Sequence, residues 1–203
     1  MTSSERFDIG RGENVFKMLG ASNHTVMERQ PLDYYATDPL AAELLLGEET
    51  FDKNVWECAC GGKHLSGVLE RHGYNVRSSD IMDRCGNEVY DFLGLDNCSW
   101  TGDIITNPPY RLAVDFVYKA LRVIPDGNKV AMFLRLQFLE GKSRKDLFAR
   151  FPPKVIYVSS SRILCAKNGD FARMQAAGGS AVAYAWFVWV KGLRQPTIVK
   201  WIN

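Results

Sequence analysis

The tetrapeptide Asn107-Pro108-Pro109-Tyr110 directly follows a short apolar segment, residues 103–106, that is typical of a buried strand. Two consecutive prolines remove two backbone donors and fix two φ angles. The side-chain oxygen of Asn107 and the carbonyl oxygen of Pro108 can therefore converge as two hydrogen-bond acceptors beside the planar ring of Tyr110.

This arrangement suits an amino group conjugated to a ring, which is a poor nucleophile because its lone pair is delocalised. Acceptors on both hydrogens draw the nitrogen toward tetrahedral geometry and localise the lone pair, while Tyr110 stacks on the ring. The nitrogen can then attack an activated methyl donor, with positioning and electrostatics supplying most of the catalysis. An ordinary Pro-Pro turn before a helix is the competing interpretation, and the features upstream of the motif disfavour it.

A second group of residues lies earlier in the chain. The strand-like segment 55–58 is followed by small residues and glycines at 59–62, which allow the backbone to approach a ligand closely. The next strand ends at Asp80, 19 residues after Gly61, where a carboxylate can accept both hydroxyls of a ribose. The dinucleotide pattern G-x-G-x-x-G and the phosphate-binding P-loop lysine motif are both absent from the sequence, which disfavours NAD and ATP.

Strand-like and helix-like segments alternate along the chain. Strands are predicted at 55–58, 75–79, 103–106, 129–136, 154–159 and 182–190, with shorter extended segments at 89–92 and 197–202. Helices are predicted at 38–47, 65–72, 112–123 and, from a capping box formed by Ser143 and Asp146, at 143–151; residues 164–181 are predicted to be a long loop. This order predicts an α/β fold with a mostly parallel sheet, an antiparallel edge strand and helices on both faces.

Domain organisation and location follow from composition. We expect an N-terminal arm at residues 1–32, partly ordered, and a single domain at 33–203. The sequence contains no apolar run near ~20 residues and no secretory h-region, so we expect a cytoplasmic protein without a membrane partner. The five cysteines lack the spacing of a zinc site and are expected to be reduced thiols, and no metal is expected.

The two halves of the chain differ in charge. Residues 1–110 contain 9 Lys or Arg and 18 Asp or Glu, whereas residues 111–203 contain 16 basic and 5 acidic residues. The net charges are therefore −9 and +11. Solubilising charge alone does not account for the scarcity of acids after residue 110, so this asymmetry predicts a basic face for a polyanionic partner.

The motif at 107–110 matches the catalytic motif of N6-adenine methyltransferases. Residues 55–81 resemble the cofactor-binding segment of that family, particularly in small phage and prophage DNA adenine methyltransferases. Residues 22–25 and 33–39 resemble the stretch that precedes this segment, and residues 186–189 are also similar. The resemblance covers residues 22–192, with the cofactor motif before the catalytic one and no circular permutation.

The resemblance implies a Rossmann-like, seven-stranded methyltransferase sheet, with S-adenosylmethionine as the methyl donor and S-adenosylhomocysteine as the product. Glu57 and the turn of Ala59, Cys60, Gly61 and Gly62 would hold the methionine part, and Asp80 the ribose. The remaining implied cofactor residues are Ile81, beside the adenine ring, the acid-aromatic pair Asp91 and Phe92, and Tyr35 and Thr37 at the carboxylate end. The family more often has Gly-x-Gly where this chain has Gly61-Gly62-Lys63, and a separate target-recognition domain is not evident. Selectivity would then be relaxed or would come from residues 1–32 and 164–181.

The implied substrate is the N6 amino group of adenine in DNA, most simply duplex DNA, with the base flipped out of the helix. The basic residues predicted to contact phosphates are Arg111, Arg135, Lys142, Arg144, Lys145, Arg162, Lys167 and Arg173. Three alternatives remain at this point: an RNA adenine or guanine amino methyltransferase, a protein glutamine methyltransferase, and an inactive nucleic-acid-binding module. The basic second half disfavours the protein substrate, and the intact Asn107 and Tyr110 disfavour the inactive module.

Overall fold

The computed structural model describes residues 34–94 and 98–203, and Tyr34–Asn203 belong to one compact unit. The predicted arm, residues 1–32, lies outside the described residues. In chain order the elements are β1 (Tyr35–Thr37), α1 (Pro39–Glu48), β2 (Asn54–Glu57), α2 (His64–Arg71), β3 (Asn75–Asp80), β4 (Glu88–Val89), β5 (Asp103–Thr106), α3 (Ala113–Val123), β6 (Lys129–Arg135), α4 (Lys145–Arg150), β7 (Val155–Ser159), β8 (Cys165–Lys167), α5 (Phe171–Ala176), β9 (Tyr184–Val190) and β10 (Ile198–Ile202). Leu136–Leu139 and Lys142–Arg144 are short 3-10 turns.

Eight strands form one sheet in the order β10-β7-β9-β6-β5-β2-β3-β4. Neighbouring strands are parallel, except that β9 runs antiparallel to both β6 and β7. β9 is the third strand from the edge of the sheet that β10 forms. The predicted α/β fold class is therefore confirmed. The strands β1 and β8 form a separate two-stranded antiparallel pair.

The sheet is buried on both faces, as the continuous apolar runs of β5 and β6 require. On one face α3 buries its apolar side, including Phe116 and Val117, against a core around Trp56. On the other face α1 and α2 cover a second core that includes Phe133 and Trp186. Helices on opposite faces leave the two ends of the sheet free for loops.

The start of α1 follows its sequence signals. The carboxylate of Asp38 accepts a hydrogen bond from the backbone N–H of Leu40 at 3.0 Å, and Pro39 occupies the first turn. Just after the helix, the buried carboxylate of Glu49 binds Lys129 and Lys154. Burial opposes ionisation of Glu49, yet hydrogen bonds from both lysines and Tyr157 lower the pKa of its carboxyl below the usual value. This cluster joins the end of α1 to β6 and β7.

The prediction of a loop over residues 164–181 was wrong in part, because this segment contains β8 and α5. β8 forms by pairing with β1, whose residues are about 130 positions earlier in the chain, so its partner is not visible locally. The N-cap residue of α5 is Asp170, whose side chain accepts a hydrogen bond from the N–H of Arg173 at 3.0 Å.

Two local predictions were also wrong in detail. The residue preceding α4 is Arg144 and provides no side-chain cap, so Ser143 and Asp146 do not form a capping box. The extended segment expected at 89–92 is limited to the strand Glu88–Val89. Element boundaries elsewhere agree within one or two residues, and β5 has the predicted bounds.

Glu57, the last residue of β2, joins this strand to the start of α2. Its carboxylate accepts hydrogen bonds from the backbone N–H of Ser66, at 2.8 Å, and from the Ser66 hydroxyl. The residue before the helix, Lys63, has φ 60° and gives no side-chain cap, so Glu57 supplies the acceptor from a neighbouring strand. Burial of the Glu57 carboxyl raises its pKa to about 8.

This pKa predicts pH-dependent stability. The folded protein binds a proton on Glu57 more tightly than the unfolded chain does, so between pH 4.5 and about 8 the unfolding free energy should fall as the pH rises. Glu57→Gln keeps an acceptor for Ser66 and has no proton to lose, so its stability should vary less over this window. Urea unfolding at several pH values measures the difference. Glu48→Gln, which alters an exposed carboxylate, is the control, and equal slopes for wild type and Glu57→Gln would contradict the prediction.

Candidate functional site

The predicted site residues meet at one edge of the main sheet. β3, β2, β5 and β6 are adjacent and parallel, so their carboxyl ends lie side by side. Glu57, Asp80 and Arg135 are the last residues of β2, β3 and β6, and Asn107 directly follows β5. Ligands of open α/β sheets bind at this edge.

The side-chain amide of Asn107 is fixed by residues of β1. Its Nδ2 donates hydrogen bonds to the hydroxyl oxygen of Thr37, at 2.8 Å, and to the backbone carbonyl of Tyr35, at 3.2 Å. The sulfur of Cys165, on β8, lies 3.8 Å from the same nitrogen. A carbonyl can only accept, so the contact with Tyr35 determines which end of the amide is the nitrogen.

The other end of this amide has no partner. Oδ1 of Asn107 is buried and accepts no hydrogen bond from the described residues. A buried acceptor without a donor costs on the order of 1–3 kcal/mol, and such groups in native structures concentrate at functional positions. Asn107 therefore presents a fixed, unused acceptor.

The turn formed by the two prolines contains a second acceptor. The carbonyl of Pro109 accepts a hydrogen bond from the N–H of Leu112 at 2.8 Å and so starts the turn into α3. Among the described residues, no backbone N–H donates to the carbonyl of Pro108. Pro108 itself is buried, whereas Pro109 is exposed.

The ring of Tyr110 lies among aromatic and cationic groups. The guanidinium carbon of Arg135 is 4.4 Å from the centroid of the Tyr110 ring, and the centroid of the Tyr184 ring is 5.8 Å away. Burial raises the pKa of the Tyr110 phenol far above its usual value, so the group is neutral. Its hydroxyl is buried and lies beside the Tyr184 hydroxyl and the Cys165 thiol.

The glycine-containing turn after β2 is tied to β3. Gly61 has a positive φ of 50°, and its N–H donates to the Asp80 carboxylate at 2.9 Å. The N–H of Cys60 donates to the carbonyl of Ser79 at 3.0 Å. The turn and the acid at the end of β3, which the sequence places 19 residues apart, are thus in direct contact.

Tyr34 covers this turn. A Cβ atom on Gly61 would lie 2.6 Å from the Tyr34 ring, and a Cβ atom on Gly62 would lie 2.6 Å from the Tyr34 hydroxyl. The ring of His64 also borders Gly62, and its buried Nδ1 makes no hydrogen bond within the described residues. Both glycines are therefore required for the close approach of these side chains.

The remaining predicted cofactor residues differ in accessibility. Ile81, next to Asp80, is 68% exposed, an unusual state for a large apolar side chain at the rim of a site. Asp91 is also exposed. Phe92 is 2% exposed and packs edge-on against Trp56, with a centroid separation of 5.2 Å, so its side chain belongs to the core.

The predicted phosphate-binding residues fall into two groups. Arg144 donates to the backbone carbonyls of Gln137 and Glu140, and Arg135 packs against Tyr110, so both are engaged within the protein. The others are exposed: Arg111, Lys142, Lys145, Arg162, Lys167 and Arg173. Arg111, Lys142 and Arg162 lie in the segments that follow the carboxyl ends of β5, β6 and β7, respectively. Lys167 is the last residue of β8, whose partner β1 adjoins Asn107.

Four residues of the site were missed by the sequence analysis: Tyr34, His64, Cys165 and Tyr184. Cys165 and Tyr184 come close to Asn107 and Tyr110 only through strand pairing, and no local pattern indicates this. All five cysteines are free thiols. Burial raises the pKa of Cys165 to about 11, so this thiol is protonated near neutral pH and is not a nucleophile.

The described residues offer neither a metal-binding cluster nor a membrane-spanning helix. No group of three or more His, Cys, Asp or Glu side chains there is arranged to hold a metal ion. In the same residues, no helix is both long and apolar enough to cross a membrane.

Comparisons with known proteins show structural similarity but no significant sequence similarity. No protein-family model matches the chain, and no curated protein has significant sequence similarity to it. The M protein of the type I restriction enzyme EcoKI matches with a TM-score of 0.56 and 14% identity, over 82% of this chain and 46% of that protein. A protein from Listeria monocytogenes described as a class I S-adenosylmethionine-dependent methyltransferase matches with a TM-score of 0.51 and 11% identity, over 80% of this chain and 62% of that one.

A protein from Streptococcus thermophilus described as a hemolysin has a TM-score of 0.51 and 10% identity, over 79% of this chain and 66% of that one. The chain thus spans between 46% and 66% of the length of these three structures. At such identities the likeness concerns the fold. The described chain has the Rossmann-like methyltransferase fold, with its candidate site at the carboxyl ends of the parallel strands.

Proposed function

We propose that this chain transfers a methyl group from S-adenosylmethionine to the N6 amino group of adenine in DNA. The observation that supports this most directly is the unpaired, buried Oδ1 of Asn107, whose amide is fixed by β1 through its other end. A fixed acceptor with no donor in the protein suits a substrate that brings its own N–H group.

The residues near the glycine-containing turn have the chemical groups that the ribose and adenine of S-adenosylmethionine would contact. The Asp80 carboxylate accepts from Gly61 and Met82 through different oxygens, and each oxygen keeps a lone pair for a ribose hydroxyl. The exposed side chain of Ile81 would be covered by an adenine ring. The unpaired Nδ1 of His64 offers a polar contact beside the turn. When bound, S-adenosylmethionine supplies a methyl group on a positively charged sulfur.

The chain's own residues prepare the amino group. Asn107 Oδ1 and the carbonyl oxygen of Pro108 each accept one hydrogen of the amino group, which shifts its lone pair away from the ring. Tyr110 supplies a neutral aromatic surface for the base. The amide of Asn107 cannot rotate without losing its bonds to Tyr35 and Thr37, so the acceptor is preorganised.

Charge supports a nucleic acid as the substrate. Residues 111–203 carry a net charge of +11, and four of the exposed cations lie near the edge of the sheet where Asn107 lies: Arg111, Lys142, Arg162 and Lys167. An M protein of a restriction enzyme is among the structures with this fold. Adenine in DNA also follows from the resemblance of the motif at 107–110 to that of DNA adenine methyltransferases.

A tritiated-methyl transfer assay tests the proposal. The purified chain is incubated with duplex DNA, single-stranded DNA, RNA and protein fractions, and the labelled products are hydrolysed to nucleosides or amino acids. We expect N6-methyladenine in DNA. Label in RNA nucleosides or in glutamine side chains would replace this function with one of the alternatives. Absence of label together with absence of cofactor binding by calorimetry would refute a methyltransferase.

Asn107→Ala removes the fixed acceptor. The loss of one preorganised oxygen of this type lowers kcat by roughly 10²–10³-fold, while cofactor binding and the melting temperature should change little. Asn75→Ala is a matched control, since Asn75 is exposed at the start of β3, at the opposite edge of the sheet. Activity of Asn107→Ala within a few-fold of wild type would contradict the assigned role.

DNA binding should depend steeply on salt. Each phosphate contact contributes about −0.9 to the slope of log K against log salt, so Arg111→Ala and Arg162→Ala should each reduce the slope by about 1. Arg122 and Arg194 are exposed at the opposite edge of the sheet and provide the control substitutions. Fluorescence anisotropy with labelled duplex DNA measures the slopes. A slope near zero for wild type would exclude phosphate contacts as the source of affinity.

A further inference from the structure

Arg135 is placed beside Tyr110 by strand register. It is the last residue of β6, and its cross-strand partner in β9 is Tyr184. Residues opposite each other in an antiparallel pair point to the same face of the sheet. Tyr184 stacks on Phe133, with centroids 5.4 Å apart and an interplanar angle of 19°, so the group that borders Arg135 is itself firmly packed.

The guanidinium of Arg135 has no counter-charge in the described chain. Its Nε is buried without a hydrogen bond, its other nitrogens border the hydroxyl of Tyr184, and the ion pairs of the described residues do not include it. Its contact with the Tyr110 ring is a cation–π interaction, which contributes about 0.5–2 kcal/mol. That contact does not replace a hydrogen-bond acceptor for a buried N–H.

Two buried polar atoms without partners therefore belong to the group of residues around Tyr110: Oδ1 of Asn107 and Nε of Arg135. The first is an acceptor and the last is a donor. A guanidinium carries five N–H donors and no acceptor, so Arg135 cannot take a hydrogen from an amino group. The pocket thus combines acceptors for an amino group with a donor for a neighbouring acceptor.

We propose that Arg135 recognises the ring nitrogen next to the target amino group, and that in the free protein it covers the face of Tyr110 that the base takes over. This inference rests on the proposed function. It assigns Arg135 to the base and not to a phosphate. In adenine the amino group is flanked by N1 and N7, which are both acceptors.

The same set of groups discriminates against thymine, which has no exocyclic amino group, and against guanine that enters with its O6 edge. Guanine and thymine present a carbonyl oxygen where adenine has its amino group, and that oxygen would face Oδ1 of Asn107 and the carbonyl of Pro108, both acceptors. Thymine, or guanine in this orientation, could not satisfy Asn107 and Arg135 together, whereas cytosine, whose N4 amino group adjoins the acceptor N3, could. The selectivity that these groups themselves provide is for an amino group beside an acceptor.

Atom substitution in the DNA tests this assignment. After the methylated position has been mapped in natural DNA, synthetic duplexes carry adenine, 1-deazaadenine or 7-deazaadenine at that position. Wild type should lose roughly tenfold or more in kcat/KM on one of the two analogues, as loss of one specific base contact of 1–3 kcal/mol implies. Arg135→Gln should be slower on adenine and show no further loss on that analogue.

Arg111→Gln is the matched control, since Arg111 is exposed and adjoins the same motif. It should retain the full discrimination between adenine and the sensitive analogue, and it should reduce the salt slope of DNA binding by about 1. Arg135→Gln should leave that slope unchanged. Cofactor binding and melting temperature of each variant confirm that it is folded.

Three results would overturn the assignment. The first is wild type that methylates both analogues as well as adenine. The second is an Arg135→Gln variant whose loss on the sensitive analogue adds to its loss on adenine. The third is a reduction of the salt slope by Arg135→Gln equal to that of Arg111→Gln. A wild-type chain that methylates no DNA adenine at all would refute the proposed function itself, together with this inference.

Discussion

The candidate site depends on the hydrogen bonds from Asn107 Nδ2 to the Tyr35 carbonyl and the Thr37 hydroxyl. These bonds orient the amide and leave its oxygen free. They require β1 to lie beside the end of β5, and β1 is placed by β8 through the pairs Tyr35↔Lys167 and Thr37↔Cys165. The N–H of Asp38 adds a bond to the carbonyl of Leu164 at 3.0 Å. The segment around β8 is thus a structural support of the site, as well as a surface near it.

Acidic side chains tie neighbouring segments together at both ends of the sheet. Asp103, at the start of β5, accepts hydrogen bonds from the N–H groups of Asp52 and Lys129, at 2.6 and 2.7 Å, and so ties the loops before β2 and β6 together. At the other end Glu57 holds the start of α2, and Asp80 holds the glycine-containing turn. A binding group is positioned accurately when it projects from elements that are themselves fixed, and the strands β2, β3 and β5 are fixed in this way.

Local patterns predicted what depends on local sequence. The α/β alternation, the bounds of β5, the start of α1 at Asp38 and the turn at 107–110 all follow from runs, caps and prolines. The pairing of β1 with β8 could not be predicted, because neither short strand has a strong pattern and their partners are far apart in the chain. Cys165 and Tyr184 could not be predicted as site residues for the same reason, because strand pairing brings them to the site from distant parts of the chain. For Phe92 the resemblance implies a place near the cofactor, whereas the structure places its side chain in the core against Trp56.

The residues around Tyr110 contrast with the buried acids at the two ends of the sheet. Around Glu49, Glu57 and Asp103 each buried charge or polar group has its partners. Beside Tyr110, two buried polar atoms have none: Oδ1 of Asn107 and Nε of Arg135. Each costs about 1–3 kcal/mol in the free protein, a cost that a ligand with matching donors and acceptors removes on binding. Selectivity arises from this same cost, because a base that leaves Asn107 or Arg135 unpaired does not remove that cost when it binds. The well-satisfied sheet provides the stability that allows such a pocket to persist.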